Sequence, residues 1–251
     1  MAGPSNPFGA VAADYAAFRP TYPDALFAWL AAESPGRTLA WDCATGNGQA
    51  ALALAAHFDA VVATDVSAEQ LAHAPPHPRV RYAVAPAEAS PLADASADLV
   101  TVAQALQWFD LDAFFAEAGR VLRPGGLLAA WTYSLLAVTP EVDRIVERYY
   151  RETLGPYWAW ERRLVEEGYA SVAFPFDPVA VPPFAMAARW TLDQIVGYLA
   201  TWSARRAYVE ATGEDPLPAV RAALAAVWGD PGEAREVRWP LFVRACRKPA
   251  R

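Results

Sequence analysis

Asp42-Cys43-Ala44-Thr45-Gly46-Asn47-Gly48-Gln49 is the stretch on which the reading of this chain turns. The short apolar run Leu39-Ala40-Trp41 leads into it, and the Ala/Leu-rich residues 48–57 follow. This order predicts a strand, a tight corner and a helix. Small residues at the corner let a ligand approach the backbone, and the helix start offers N–H groups that have no partner inside the helix. In open α/β sheets ligands bind outside the carboxyl ends of the strands, which is where this corner falls. A corner of this composition also serves as a plain tight turn.

Working outward, residues 60–65 form a second apolar run, closed by Asp65, 17 residues after Gly48. A nucleoside-binding unit needs a carboxylate near this separation to accept hydrogen bonds from ribose hydroxyls. The competing role for Asp65 is to cap the next helix, predicted over 67–74, although Ser67 already offers a cap with Gln70 as its capping-box partner. The glycine spacing does not suit a dinucleotide. That fingerprint is Gly-x-Gly-x-x-Gly, whereas here Ala44, Gly46 and Gly48 follow Asp42 at two-residue steps and Ala51 stands in place of the third glycine. The chain has no Gly-Lys-Ser/Thr phosphate loop. The corner therefore suits a nucleoside ligand without a pyrophosphate.

Beyond it, strands are predicted over 80–85, 97–103 and 127–132. A helix is predicted over 111–122, and Arg123-Pro124-Gly125-Gly126 reads as a turn. Strands alternating with helices imply a parallel sheet with right-handed crossovers. After Thr132 the rhythm changes. Helices are predicted over 141–154 and 158–168, and Pro175, Pro178, Pro182 and Pro183 mark a linker or an edge. Residues 184–190 alternate as a strand, Thr191 and Gln194 open a helix, another helix spans 216–228, and 237–246 is a final strand. The expected organisation is an N-terminal segment plus ligand-binding core over 1–132, and a mainly helical cap over 133–232. The cap's strand at 184–190 belongs to the sheet, and 233–251 returns the last strand to the core.

The bulk properties narrow the function further. The 251 residues are 55% hydrophobic and 20% charged, enough to bury a sizeable core. A formal net charge of −7, with no basic run longer than a pair, argues against a nucleic-acid partner. No apolar run is long enough for a bilayer span. Cys43 and Cys246 are far apart, and His57, His73 and His77 show no metal-ligand spacing, so no metal is expected. A cytoplasmic protein, monomer or homodimer, is the expectation.

Asp42-x-Ala44-x-Gly46-x-Gly48 resembles the first motif of class I methyltransferases that use S-adenosyl-L-methionine (SAM), with Ala44 in place of the commonest glycine. Thr64-Asp65-Val66-Ser67 with Gln70-Leu71 looks like the second motif. Ala87-Glu88 with Asp98-Leu99-Val100, and Arg123-Pro124-Gly125-Gly126, look like the later ones. The resemblance covers about residues 8–132 and the final strand. Tyr15-Ala16-Ala17-Phe18-Arg19-Pro20-Thr21-Tyr22-Pro23 and Gln104-Ala105-Leu106-Gln107-Trp108-Phe109-Asp110 are similar to the small-molecule branch that includes trans-aconitate methyltransferase. Members of that branch often carry His where this chain has Gln107.

The resemblance implies a Rossmann-like, seven-stranded, mostly parallel sheet with helices on both faces, and methyl transfer to a small-molecule acceptor. It also implies a cofactor site drawn from Tyr15, Arg19, Asp42, Ala44, Thr45, Gly46, Gly48, Asp65, Val66, Gln70, Ala87, Glu88 and Gln104. Asp42 would meet the SAM ammonium and Arg19 its carboxylate. Pro86 stands where most members place an acid, so the adenine amine falls to Glu88 or the backbone at Ala87. Tyr22, Trp108, Tyr133 and Trp202 are candidates for the acceptor side. Each aromatic has a competing reading as plain packing, and Arg19 as a surface arginine. An ionised acceptor such as a carboxylate would need no general base. The rival functions are a nicotinamide-dependent oxidoreductase and a non-catalytic SAM-binding regulator.

Overall fold

The computed structural model describes residues 20–250. Its strands are β1 (Leu39–Cys43), β2 (Ala60–Asp65), β3 (Val80–Val84), β4 (Ala97–Ala103), β5 (Leu122–Tyr133), β6 (Asp177–Pro178), β7 (Phe184–Trp190) and β8 (Arg235–Arg247). They form one sheet in the order β3-β2-β1-β4-β5-β8-β6, with β7 pairing β8 off that path. The first five strands are parallel, and β8 runs antiparallel to both β5 and β6. This is the mostly parallel sheet that the alternating pattern predicts, in the Rossmann-like form that the resemblance implies, with eight strands in place of seven when the two-residue β6 is counted.

The chain forms two compact units. The sheet unit holds Tyr22–Tyr133, Arg163–Phe184 and the chain from Leu241 onward. Its helices are α1 (Asp24–Glu33), α2 (Gln49–Leu54), α3 (Ala68–Ala72) and α4 (Leu111–Val121). Because side chains alternate across a strand, Trp41 and Asp42 face opposite sides of the sheet. On the Trp41 side the rings of Trp41 and Phe114 of α4 lie 6.2 Å apart. On the Asp42 side, Phe27 of α1 meets Trp131 at 6.2 Å. Helices therefore cover both faces, and the apolar runs of β1, β4 and β5 are buried between them.

The Arg123–Gly126 segment corrects its prediction. It is the opening of β5, where the register shifts in a bulge: Ala97 pairs with Leu122, yet Leu99 pairs with Leu127. Gly125 takes a left-handed φ of +78° there. Its N–H donates to the Lys248 carbonyl at 3.0 Å, and the Lys248 N–H donates to Gly126 at 2.9 Å. The Lys248 ammonium closes the end of α4 by donating to the Gly119 and Leu122 carbonyls, both at 2.7 Å. At the amino edge of β1, buried Asp98 accepts from the Thr38 and Leu39 N–H groups and pairs with Arg123 at 2.8 Å. Asp98 is thus an anchor for the sheet, at the end away from the glycine corner.

Residues 163–184 pack with the sheet, where the sequence pattern groups them with the helical segment. Tyr169 and Val172 are buried in the core cluster of Trp41 and Phe114, and Phe174 and Phe176 lie against it. The helix expected over 158–168 is only α6 (Arg162–Glu166). Ahead of it, the Trp158 indole donates to the Tyr150 carbonyl, and the Arg162 guanidinium sits 4.8 Å from the Trp158 ring centre. The other unit, Ser134–Arg162 and Ala185–Pro240, holds α5 (Pro140–Arg148), α7 (Leu192–Ala200), α8 (Ser203–Thr212) and α9 (Leu217–Trp228). The Thr191/Gln194 capping box opens α7 as predicted. Among the described residues, no helix is long and apolar enough to cross a membrane.

Candidate functional site

β1 delivers its carboxyl end into a corner that ordinary side chains would strain. Ala44, Gly46 and Gly48 have φ of +54°, +58° and +85°. A non-glycine residue in this region costs about 1–3 kcal/mol, so Ala44 is held by its surroundings. The two glycines are needed for different reasons. A Cβ on Gly46 would meet nothing within 4 Å, so the backbone there faces open space. A Cβ on Gly48 would stand 2.5 Å from the Tyr82 hydroxyl oxygen. The corner is braced by the Thr45 N–H donating to Thr64 at 2.9 Å and the Gly48 N–H donating to Thr45 at 3.0 Å.

Asp65, at the end of β2, turns its carboxylate into this corner. Oδ2 accepts from the Gly46 N–H at 2.9 Å, and Oδ1 accepts from the Ser67 N–H at 2.8 Å. Each carboxylate oxygen retains a lone pair for a further donor. Asp65 therefore faces the corner and also ties down the start of α3. Ser67 Oγ accepts from the Gln70 N–H at 3.2 Å, which caps α3 and places Gln70 on its first turn. Val66 follows Asp65 with 70% of its surface exposed. An exposed apolar side chain at the rim of this corner offers a face to a flat group.

Asp42 is fully buried. The Thr45 hydroxyl donates to its Oδ2, and the Thr101 hydroxyl donates to Oδ1 at 2.7 Å. Burial pushes its pKa up to about 6. The two hydroxyls oppose that shift, and nearby Asp65 adds to it. Thr101 escaped the sequence reading. Its signal was a hydroxyl between Val100 and Val102 of β4, and register does the rest, since Asp42 and Thr101 are paired across β1 and β4. Tyr82 was missed as well, because only the order β3-β2-β1 brings it to Gly48.

The remaining predicted residues fall at several places. Ala87 is buried in the core cluster that backs the sheet. Glu88 Oε1 accepts from the Asp110 N–H at 3.2 Å. Gln104 takes a left-handed φ of +59°. Its Oε1 accepts from the Thr132 hydroxyl and the Tyr133 N–H, at 2.7 and 2.9 Å, and its Nε2 donates to the Tyr133 carbonyl at 3.2 Å. Its amide is therefore committed to the end of β5. Tyr22 meets Trp131 edge-on at 5.5 Å, Tyr133 is buried, and Trp108 is half exposed. Trp202 belongs to the other unit, buried in an aromatic cluster and stacked 5.7 Å from Tyr149. There the packing reading describes its surroundings. Tyr15 and Arg19 lie outside the described residues.

This chain is similar to proteins of one family. The methyltransferase domain family matches residues 41–130, from β1 to β5. A Dictyostelium discoideum protein that carries the name methyltransferase is 32% identical over 249 residues, covering 96% of this chain and 94% of its own. A solved structure from Anaeromyxobacter dehalogenans, described as a type II methyltransferase, is 49% identical with a TM-score of 0.89. It covers 92% of this chain and 99% of that one. A Bacillus halodurans structure at 23% identity shares the fold, with a TM-score of 0.51 over 90% of this chain and 98% of that one.

Proposed function

Since this chain belongs to the methyltransferase family, we propose that it transfers a methyl group from SAM to a small-molecule acceptor that arrives already ionised, such as a carboxylate. The observation that carries the cofactor half is the Asp65 carboxylate, turned onto the Gly46 N–H beside open backbone. These residues fit an adenosyl group. Asp65 would accept from ribose hydroxyls, exposed Val66 would offer its face to the base, and Gly46 would leave room for close approach. Asp42, when ionised, supplies the negative charge that an ammonium seeks. Bound there, SAM supplies a methyl group that is already activated.

The acceptor half rests on Gln107, which stands where similar proteins often carry His. Its amide oxygen accepts from the Tyr169 hydroxyl at 2.7 Å and its Nε2 donates to the Gln104 carbonyl at 3.1 Å. An amide so engaged takes no proton. The Cys43 thiol is buried, and burial pushes its pKa well up, so it offers no ready thiolate. Protein groups then act by positioning and by excluding water, which in favourable cases supplies about 7–11 kcal/mol.

Calorimetry with S-adenosylhomocysteine tests the cofactor site. Asp65→Ala should weaken binding at least about tenfold, because charge-assisted hydrogen bonds to ribose are lost. Unchanged affinity would remove the site. Release of S-adenosylhomocysteine, followed across panels of carboxylates, phenols and amines, tests the acceptor class. Turnover confined to phenols or amines would overturn the carboxylate reading.

A further inference from the structure

The exit from β4 is held by a continuous chain of side-chain hydrogen bonds that begins far away in sequence. After α6 the backbone turns through two successive left-handed residues, Gly168 at φ +59° and Tyr169 at φ +61°. The second is not glycine, so the turn is strained and its surroundings must hold it. The Arg244 guanidinium does part of this, donating to the Tyr169 carbonyl at 2.8 Å. The Tyr169 ring is fully buried, and its hydroxyl donates to Gln107 Oε1 at 2.7 Å. A phenol hydroxyl can donate or accept, so the Gln104 carbonyl, which only accepts, fixes which way the Gln107 amide faces. Gln107 Nε2 then donates to the Gln104 carbonyl at 3.1 Å. Gln104, itself left-handed, grips the end of β5 through Thr132 and Tyr133, and its N–H donates to the Trp131 carbonyl at 2.8 Å. At the far end of the same loop, the Asp110 N–H donates to Glu88.

From these contacts we infer that Tyr169 and Gln107 are positioning residues for the cofactor site. They hold the loop 104–110 in the one conformation that sets Gln104 and Glu88 at the carboxyl edge of the sheet. This rests on the cofactor reading above. The chemistry at position 107 is demanding, because the residue must accept on one side and donate on the other. Glutamate keeps the acceptor but loses the donor and sets its charge against the Gln104 carbonyl. Phenylalanine at 169 keeps the buried ring and removes only the hydroxyl.

The test is a double-mutant cycle read by S-adenosylhomocysteine affinity well below the melting temperature. Tyr169→Phe and Gln107→Glu should each raise the dissociation constant about five- to tenfold, and the pair together no more than the worse single change. A merely structural role would lower the melting temperature and leave affinity alone. A second readout needs no ligand. In protein labelled with 5-fluorotryptophan, the Trp108 resonance, assigned through Trp108→Phe, should be sharp in the parent and broadened or doubled in Tyr169→Phe. Affinities within twofold of the parent for all variants would overturn the inference. So would an unchanged Trp108 line in Tyr169→Phe. If the parent protein binds no S-adenosylhomocysteine, the cofactor reading fails, and the Trp108 line alone then decides whether Tyr169 holds the loop.

Discussion

The carboxyl of Asp42 sits out of water between two threonine hydroxyls, with its pKa at about 6. The direction of the resulting pH dependence follows from that. An unfolded aspartate ionises near 3.9, so the folded state binds more protons between that pH and about 6. Asp42 therefore favours folding below pH 4 and loses that contribution as pH rises through 6. The shift corresponds to about 3 kcal/mol, at about 1.4 kcal/mol per unit. Asp42→Asn should gain stability relative to the parent at pH 7 and lose that advantage near pH 4, as thermal unfolding at both values will show. Cofactor binding has the opposite sign. Only the ionised form attracts an ammonium, so affinity for S-adenosylhomocysteine should strengthen from pH 5 to 7 in the parent and stay weak and flat in Asp42→Asn. Calorimetry across that range reads both. At this scale Asp42 and Asp65 are legible in sequence because each closes an apolar run. Thr101 and Tyr82 are not, because their roles come from cross-strand neighbours.

Single elements carry the next layer. The corner into α2 needs glycine at 48 for two reasons, its left-handed backbone and the Tyr82 hydroxyl in the space a Cβ would take. Gly48→Ala should cost about 2–3 kcal/mol, a fall of several degrees in Tm by differential scanning fluorimetry. Adding Tyr82→Phe should return part of it. The strands over 60–65, 97–103 and 184–190 were readable outright, since their apolar runs or alternation stop where the strands stop. Other elements were hidden for physical reasons. Helix α1 follows Pro23 with no side-chain cap, and its segment DALFAWLAAE is apolar nearly all round, so no face stands out. The Pro-Gly-Gly signal after α4 is a real break in the backbone. A bulge absorbs it, and pairing between Ala97 and Leu122 carries the strand through.

On the scale of the whole molecule, rings support both units. The sheet unit packs the rings of Trp41, Phe114 and Tyr169 among small and branched side chains of β4 and β5. The other unit relies on stacked and edge-on rings: Tyr149, Tyr150, Trp158 and Tyr198 all lie within 6.0 Å of Trp202. Trp202→Ala should therefore cost about 3–5 kcal/mol, on the order of 10 °C in Tm, as removal of a buried aromatic does. Trp202→Phe should lose much less. If Trp202→Ala melted like the parent, the cluster would not be the support described. One further consequence follows from the sheet border at β6. That strand is two residues long, and Pro175, Pro178, Pro182 and Pro183 stand on or beside it. Proline brings no amide hydrogen, so the border presents few free donors in a row. A neighbouring chain finds little there to zip onto, which guards this flank against templated fibre growth in concentrated solution.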